Sequence, residues 1–374
     1  MTHAVSASVT LDLHGVLTAL GIEARNPGTR ASYTVIRGHD GPRWLIPRQG
    51  SLARTILKEW RPYGMLTRLA WLAVPPASRL GALPLLPGSA RAQLPADAAD
   101  QFLRRAGMRF EAAPPVVLVG NESDSRKLLV FLEDRSEGKI VLAKVPLKPL
   151  AYTSIRNEAG ILASLPERLH APRVLHVNEE AAIALQEYLP GRLGSRHCKP
   201  QYVELLIQLA ETGGKISLRE RRHQLAERLR AHGGYGKDAG PLDAALALLD
   251  RDEALPAVLV HGDFAPWNIR ELPGGACTLI DWEMARRQSL PLHDLCHFYF
   301  MQARLFTPDR LFYRELLAND AWRIYMRGLG LHDSLLKPLA AAFLLEMLAR
   351  YWEGAETSAS DFCLSQLRPF SEYA

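Results

Sequence analysis

The chain has 374 residues, 48% of them hydrophobic and 23% charged, with 27 Gly and 25 Pro. These proportions exclude a collagen-like repeat, low-complexity disorder and a coiled coil, and the length points to two or three domains. The net charge is +5, yet residues 1–110 carry 14 Lys/Arg against 6 Asp/Glu; no run among them resembles a basic nucleic-acid arm, so no nucleic-acid partner is expected.

Cys198, Cys277, Cys296 and Cys363 lie far apart with no C-x-x-C pair, which fits buried thiols in a reducing compartment. Arg68 and Arg79 interrupt the apolar run over 65–86, and Glu346 interrupts the one over 339–348, so no membrane span is expected. The opening MTHAVSASVTLDLHG lacks a basic segment followed by a long apolar core, and the expected location is cytoplasmic.

In chain order, Ser32–Arg37 and Arg43–Ile46 are β-rich segments flanking an Asp-Gly turn signal at Asp40-Gly41, which predicts a hairpin. Ser51 is placed to cap a helix over LARTILKEW that Pro62 stops. Prolines recurring between 75 and 95 predict an extended connection, and Asp97–Ala106 reads as a short helix. Residues 1–110 thus form a small α/β N-terminal extension with no role assigned.

From Pro115 the texture changes to strands: VVLVG, KLLVFLED and KIVLAKVPL, separated by polar turns. A helix over Tyr152–Leu165 and a strand pair around Arg173–Val177 and Ala182–Tyr188 complete a small lobe over 111–190. After Leu189-Pro190-Gly191 the pattern becomes mostly helical, over Gln201–Thr212, Leu218–His232, Pro241–Leu249, Arg310–Arg327 and Leu335–Trp352, with short strands at Ala257–Val260 and Thr278–Ile280. The fold class is therefore α+β: a small antiparallel β lobe and a larger helical lobe, 191–374.

The chemistry concentrates in LVHGDFAPWNIRELPGGACTLIDWE, Leu259–Glu283. Asp263 and Asn268 stand in D-x-x-x-x-N spacing, which in a kinase catalytic loop sets a base beside a metal-binding amide. Asp281 ends the strand Thr278–Ile280, and Pro273-Gly274-Gly275 can fold that strand back beside the loop. Two carboxylates and a carboxamide would then converge, a set suited to Mg²⁺ carrying nucleotide phosphates.

On HGDFAPWN (His261–Asn268) and IDWE (Ile280–Glu283), the sequence resembles the aminoglycoside phosphotransferase and choline kinase family of the protein-kinase-like fold, over roughly residues 115–352. The resemblance implies an ATP- and Mg²⁺-dependent transfer of the γ-phosphoryl group to a hydroxyl of a small molecule, a sugar, amino-sugar or amino-alcohol. It assigns Asp263 as the base for the acceptor hydroxyl, Asn268 and Asp281 as metal ligands, and His261 and Asp294 as structural supports of the catalytic loop. Lys144 would reach the α/β-phosphates, steadied by Glu158 on the next helix. Glu187 and Leu189 would meet the adenine edge through main-chain atoms. The turn GNESDSRK (Gly120–Lys127) has one glycine where protein kinases have three, and Ser123 and Ser125 are candidates to cap the phosphates instead.

Acceptor identity carries no recognisable signature; Glu211, Glu283, Asp294, Glu315 and Asp320 are acidic residues that would favour a cationic acceptor, and Trp282, Trp322 and Trp352 could stack on one. A catalytically idle kinase-like binding or scaffold protein is the alternative from another class. Retention of Lys144, Glu158, Asp263, Asn268 and Asp281 together speaks against it.

Overall fold

A turn at His39-Asp40-Gly41 closes the expected hairpin in the computed structural model of the protein, which describes residues 11–23, 29–60, 62, 65–210, 213–232 and 235–371. Residues 1–10, the start of the segment read for a secretion signal, lie outside the described residues, as do Glu211 and Thr212. The chain divides into two compact units, Met1–Leu165 with Pro172–Pro190, and Pro166–Ala171 with Gly191–Ala374.

The first unit runs α1 (Leu13–Leu20), β1 (Arg30–Gly38), β2 (Gly41–Pro47), α2 (Ser51–Glu59), α3 (Met65–Trp71), α4 (Val74–Arg79), β3 (Ser89–Pro95), α5 (Ala98–Ala106), β4 (Val116–Val119), β5 (Lys127–Asp134), β6 (Lys139–Pro146), α6 (Pro149–Leu162), β7 (Val174–Asn178) and β8 (Ile183–Glu187). Its eight strands form one antiparallel sheet in the order β3-β1-β2-β4-β5-β6-β8-β7. Trp44 pairs with Leu118 and Leu45 with Val117, so the sheet continues across residue 110 without a break.

Residues 75–95 are not the extended connection that their prolines predict. Pro75 and Pro76 occupy the first turn of α4, where a missing N–H costs nothing. Ser89–Pro95 then pairs with β1 as the edge strand, a position that tolerates proline.

Strand alternation sorts the side chains of this sheet between two cores. Val141, Ala143 and Val145 of β6 pack with Val16 and Leu20 of α1 and Phe102 and Ala106 of α5. Ile140 and Leu142 turn to the opposite face, covered by Ile56, Leu57, Trp60, Trp71 and Val74. Trp60 anchors that cover, with ring centroids 5.2 Å from Trp44 and 4.4 Å from Trp71. Two residues beyond Leu142, Lys144 shares this second face.

The second unit runs β9 (Arg192–Leu193), α7 (Pro200–Leu209), β10 (Lys215–Ser217), α8 (Leu218–Arg230), α9 (Ala239–Ala247), β11 (Ala254–Pro256), β12 (Val258–Val260), β13 (Ile269–Glu271), β14 (Cys277–Leu279), β15 (Arg286–Ser289), α10 (His293–Phe306), α11 (Phe312–Leu317), α12 (Ala321–Gly328), α13 (Leu336–Glu353) and α14 (Thr357–Ser371). The single helix expected over 310–327 is two, α11 and α12, and Asn319 Oδ1 accepts from Ala321 N at 2.9 Å in the break between them. The core gathers around α13, which is buried along nearly its whole length, with Phe300 in edge contact with Phe312 and Phe343 and those two tilted against each other. Among the described residues no helix is long and apolar enough to cross a membrane.

Candidate active site

The segment between β12 and β13 is irregular backbone held from three directions. Phe264, fully buried against Phe298 at 5.7 Å between centroids, pins its middle to the core. Asp294, in the first turn of α10, accepts hydrogen bonds from the His261 N–H at 2.7 Å and the Gly262 N–H at 2.9 Å. His261 is buried edge-on to Trp282 and its Nε2 lies 3.0 Å from the Ile280 carbonyl, where it donates. Trp282 itself donates to the Leu279 carbonyl at 2.9 Å, so the tryptophan of IDWE is a buried support here.

Two residues of this site have left-handed backbone. Gly262 has φ +77°, and a Cβ there would stand 2.2 Å from the Met284 carbonyl oxygen, so only glycine fits between the loop and the turn after β14. Asp281 has φ 67°, a left-handed conformation that Asp tolerates better than most residues and that tends to mark a functional position.

The hairpin puts the metal-binding candidates beside the base candidate. β13 and β14 pair antiparallel with Ile269 opposite Leu279, and Ile280 N donates to the Asn268 carbonyl at 2.9 Å. Asp281 follows directly. Asn268 Nδ2 donates to both the Asp263 carbonyl and Asp263 Oδ2, each at 2.9 Å. With its amide hydrogens so used, Asn268 has Oδ1 as the atom suited to a cation.

Asp263 is partly exposed, with 31% of its side chain accessible. Partial burial and then the negative charge of Asp281 push its pKa upward, while the Asn268 hydrogen bond pulls the other way. Asp294, enclosed in the core, is raised by burial to about 6 against the pull of its two backbone donors.

His297 is a neighbour that sequence reading missed. Its Nδ1 lies 3.1 Å from the Phe264 carbonyl, which can only accept, so Nδ1 carries the hydrogen. Burial lowers its pKa to about 3, and the ring is neutral near pH 7. Nε2 therefore turns a lone pair toward Asp263 Oδ1 at 3.7 Å and makes no ion pair with it. Asp294 and His297 stand at i and i+3 on α10, and that spacing is the signal by which both could be read as facing one loop.

In the first unit, Lys144 and Glu158 form a buried pair, with Nζ 2.7 Å from Oε1 and 2.6 Å from Oε2. The strand β6 supplies the lysine and the inward face of α6, with Ile155 and Ala159, supplies the glutamate. In the β4–β5 turn, Ser123 Oγ and Ser125 Oγ lie 3.5 Å apart, and Glu122 bridges Arg126 and Lys148. Glu187 N donates to the Arg173 carbonyl at 2.9 Å, which leaves no amide hydrogen at Glu187 for a nucleotide base; Leu189 is half-buried two residues on.

Among the described residues no group of three His, Cys, Asp or Glu is gathered to hold a metal ion. Mg²⁺ carried by phosphates needs no such cage, because it keeps waters and takes one or two protein oxygens. The hard oxygens of Asn268 and Asp281 fit that requirement.

The profile of the phosphotransferase enzyme family (APH) matches residues 117–331, from β4 to just beyond α12. No curated protein matches the chain. Among solved structures, aminoglycoside phosphotransferase APH(4)-Ia is similar at 12% identity and a TM-score of 0.51, over 74% of this chain and 98% of that one. Macrolide 2′-phosphotransferase type I is similar at 16% identity and a TM-score of 0.50, over 73% and 98%. A thermostable mutant of APH(4)-Ia in ternary complex with AMP-PNP and hygromycin B gives 12% identity and 0.50, over 74% and 98%. At such identities the likeness is one of fold, and the profile supplies the family. The profile spans more than half of the chain, so this protein belongs to the phosphotransferase enzyme family, and its fold is the protein-kinase-like one.

Proposed function

We propose that the protein moves the γ-phosphoryl group of ATP to a hydroxyl of a small molecule, with Asp263 as the base. The observation that carries this reading is the bond from Asn268 Nδ2 to Asp263 Oδ2 at 2.9 Å, which fixes the carboxylate on a loop that Asp294 holds rigid. In the reaction the acceptor oxygen bonds the γ-phosphorus, the bond to the β–γ bridging oxygen breaks, ADP leaves, and the hydroxyl proton passes to Asp263. Because the transferring group is loosely bonded at the transition state, the protein's work is positioning and charge placement.

Asp263 is suited to that proton. Its raised pKa brings it nearer to neutrality, where a general base is most effective. The neutral His297 beside it does not cancel its charge. Asn268 Oδ1 and Asp281 would hold Mg²⁺, which when bound neutralises charge on the β- and γ-phosphate oxygens. Lys144, oriented by Glu158, would meet the α/β-phosphates, and Ser123, Ser125 and the main chain at Glu187 and Leu189 would complete the nucleotide contacts. The complex of the similar APH(4)-Ia mutant with AMP-PNP supports a nucleoside triphosphate as donor.

The test is a panel of hydroxyl-bearing metabolites incubated with Mg·ATP and read by product mass. The reading expects one or more products heavier by a phosphoryl group. A protein that neither gains thermal stability from Mg·ATP nor consumes it would instead be an idle kinase-like binder.

A further inference from the structure

A cavity of about 290 Å³ opens beside Gly262, one residue from the proposed base. Its lining comes from four elements: Arg228 of α8, Arg286 of β15, His293 of α10, and Glu346, Arg350 and Glu353 of α13, with Met284 and Met347 between them. On α13 the positions i, i+4 and i+7 bring Glu346, Arg350 and Glu353 to one face. The volume is at the small end of ligand pockets, which run from about 300 to 1,000 Å³, so a monosaccharide-sized group fits.

The charges inside are partly cancelled. Arg228 is bound through two nitrogens to Glu353 at 2.8 and 2.9 Å. Arg286 is bound to Glu346 and also donates to His293 Nε2 at 3.2 Å. His293 is buried and its pKa is lowered, so it adds no charge. Arg350 is different. Among the described residues it forms no ion pair with a carboxylate, although its charge is felt at Asp263; Nη2 donates to the Met284 sulfur at 3.6 Å, and the residue is exposed. Both carboxylates are thus consumed by guanidiniums, and one cation is left over. A cationic acceptor would have to displace an Arg–Glu pair, whereas an anion meets a guanidinium that no carboxylate already holds.

We infer that this cavity recognises an acid group on the acceptor, so that the substrate is a small hydroxyl compound bearing a carboxylate or a phosphate, its anion at Arg350 and its hydroxyl toward Asp263. This rests on the phosphotransferase reading above. It also departs from the cationic acceptor that the acidic residues of the sequence favour: Asp294 is consumed by backbone donors, Glu315 and Asp320 pair with Arg310 and Arg323, and neither Glu283 nor these lines the cavity.

The test compares four acceptor sets with Mg·ATP: hydroxycarboxylates, sugar phosphates, neutral polyols and amino sugars, read by product mass and steady-state kinetics. Turnover is expected from an acid-bearing set, the first two sets telling carboxylate from phosphate. Arg350→Gln should raise the KM of that acceptor at least tenfold, with the loss on KM rather than kcat, and Arg350→Lys should recover part of it. The Mg·ATP-dependent rise in Tm should survive in Arg350→Gln, which separates a lost acceptor contact from a misfolded variant. Preferred turnover of polyols or amino sugars, no product from any acid-bearing compound, or an unchanged KM in Arg350→Gln would each overturn the inference. Failure of the phosphotransferase reading looks different: Mg·ATP would not stabilise even the unaltered protein.

Discussion

The carboxylate of Asp294 accepts the backbone N–H of Gly262, and of His261 beside it, from the first turn of α10. One side chain thereby fixes the two residues that precede the proposed base. Replacing it strands two buried donors, each costing about 1–3 kcal/mol when unsatisfied. Asp294→Ala is expected to lower unfolding stability by a few kcal/mol and to reduce kcat. Asp294→Asn, with one acceptor and one misplaced donor, should fall between. Urea denaturation and turnover on the same preparations check both, and a stability unchanged in Asp294→Ala contradicts the bracing role.

Gly262 admits no side chain. Its left-handed backbone disfavours an L residue by about 1–2 kcal/mol, and the Met284 carbonyl occupies the place of a Cβ. Gly262→Ala is therefore expected to displace the loop and cut turnover severely while leaving most of the helical unit folded. Circular dichroism beside a kinetic assay distinguishes this from general unfolding. Full activity in Gly262→Ala would mean that the loop relaxes freely.

The buried Lys144–Glu158 pair makes a double-mutant cycle informative. Breaking a buried pair by removing one partner typically costs about 3–5 kcal/mol. Lys144→Met and Glu158→Leu should each destabilise, and the double variant should be less destabilised than the sum. Nucleotide binding should weaken in all three, because the lysine is lost or loses its orientation. Additive losses in stability would show that the two groups do not act as a pair.

His297 sets a pH dependence with a definite sign. Its folded pKa of about 3 lies below the ordinary 6.5, so between those values the unfolded chain binds the extra proton. Its contribution to stability is complete above pH 6.5 and declines as pH falls, by up to about 1.4 kcal/mol per pH unit. Asp294, raised to about 6, tilts the other way over its own range, since the folded state there holds the proton. The comparison that isolates the histidine is the stability difference between the unaltered protein and His297→Gln, measured from pH 7.5 to 5. That difference should shrink on the acid side, and a constant difference contradicts a buried neutral ring.

The fold was legible where local patterns are strong. The Asp40-Gly41 turn, the three strands after Pro115 and the helix carrying Glu158 follow from alternation and turn chemistry. The joining of β2 to β4 was not, because strand pairing between residues more than 70 apart leaves no local mark. Prolines at 75 and 76 misled for a related reason: proline stops a helix from inside but suits its first turn, and only the surrounding chain says which applies. At the site, Asp263, Asn268 and Asp281 could be read from spacing because one loop and one hairpin carry them. His297 left only the weaker signal of its i, i+3 spacing from Asp294, and Arg350 left none, since it lies on α13, distant in sequence, and its meaning depends on what that helix faces.

Asp263→Ala provides the most direct measurement of the central claim, the role of that carboxylate in phosphoryl transfer. General base catalysis typically contributes about 10²- to 10⁴-fold, so turnover of a phosphorylated acceptor should drop at least a hundredfold while the Mg·ATP-dependent rise in Tm persists. Turnover at the unaltered rate would contradict the assignment of Asp263 as the base.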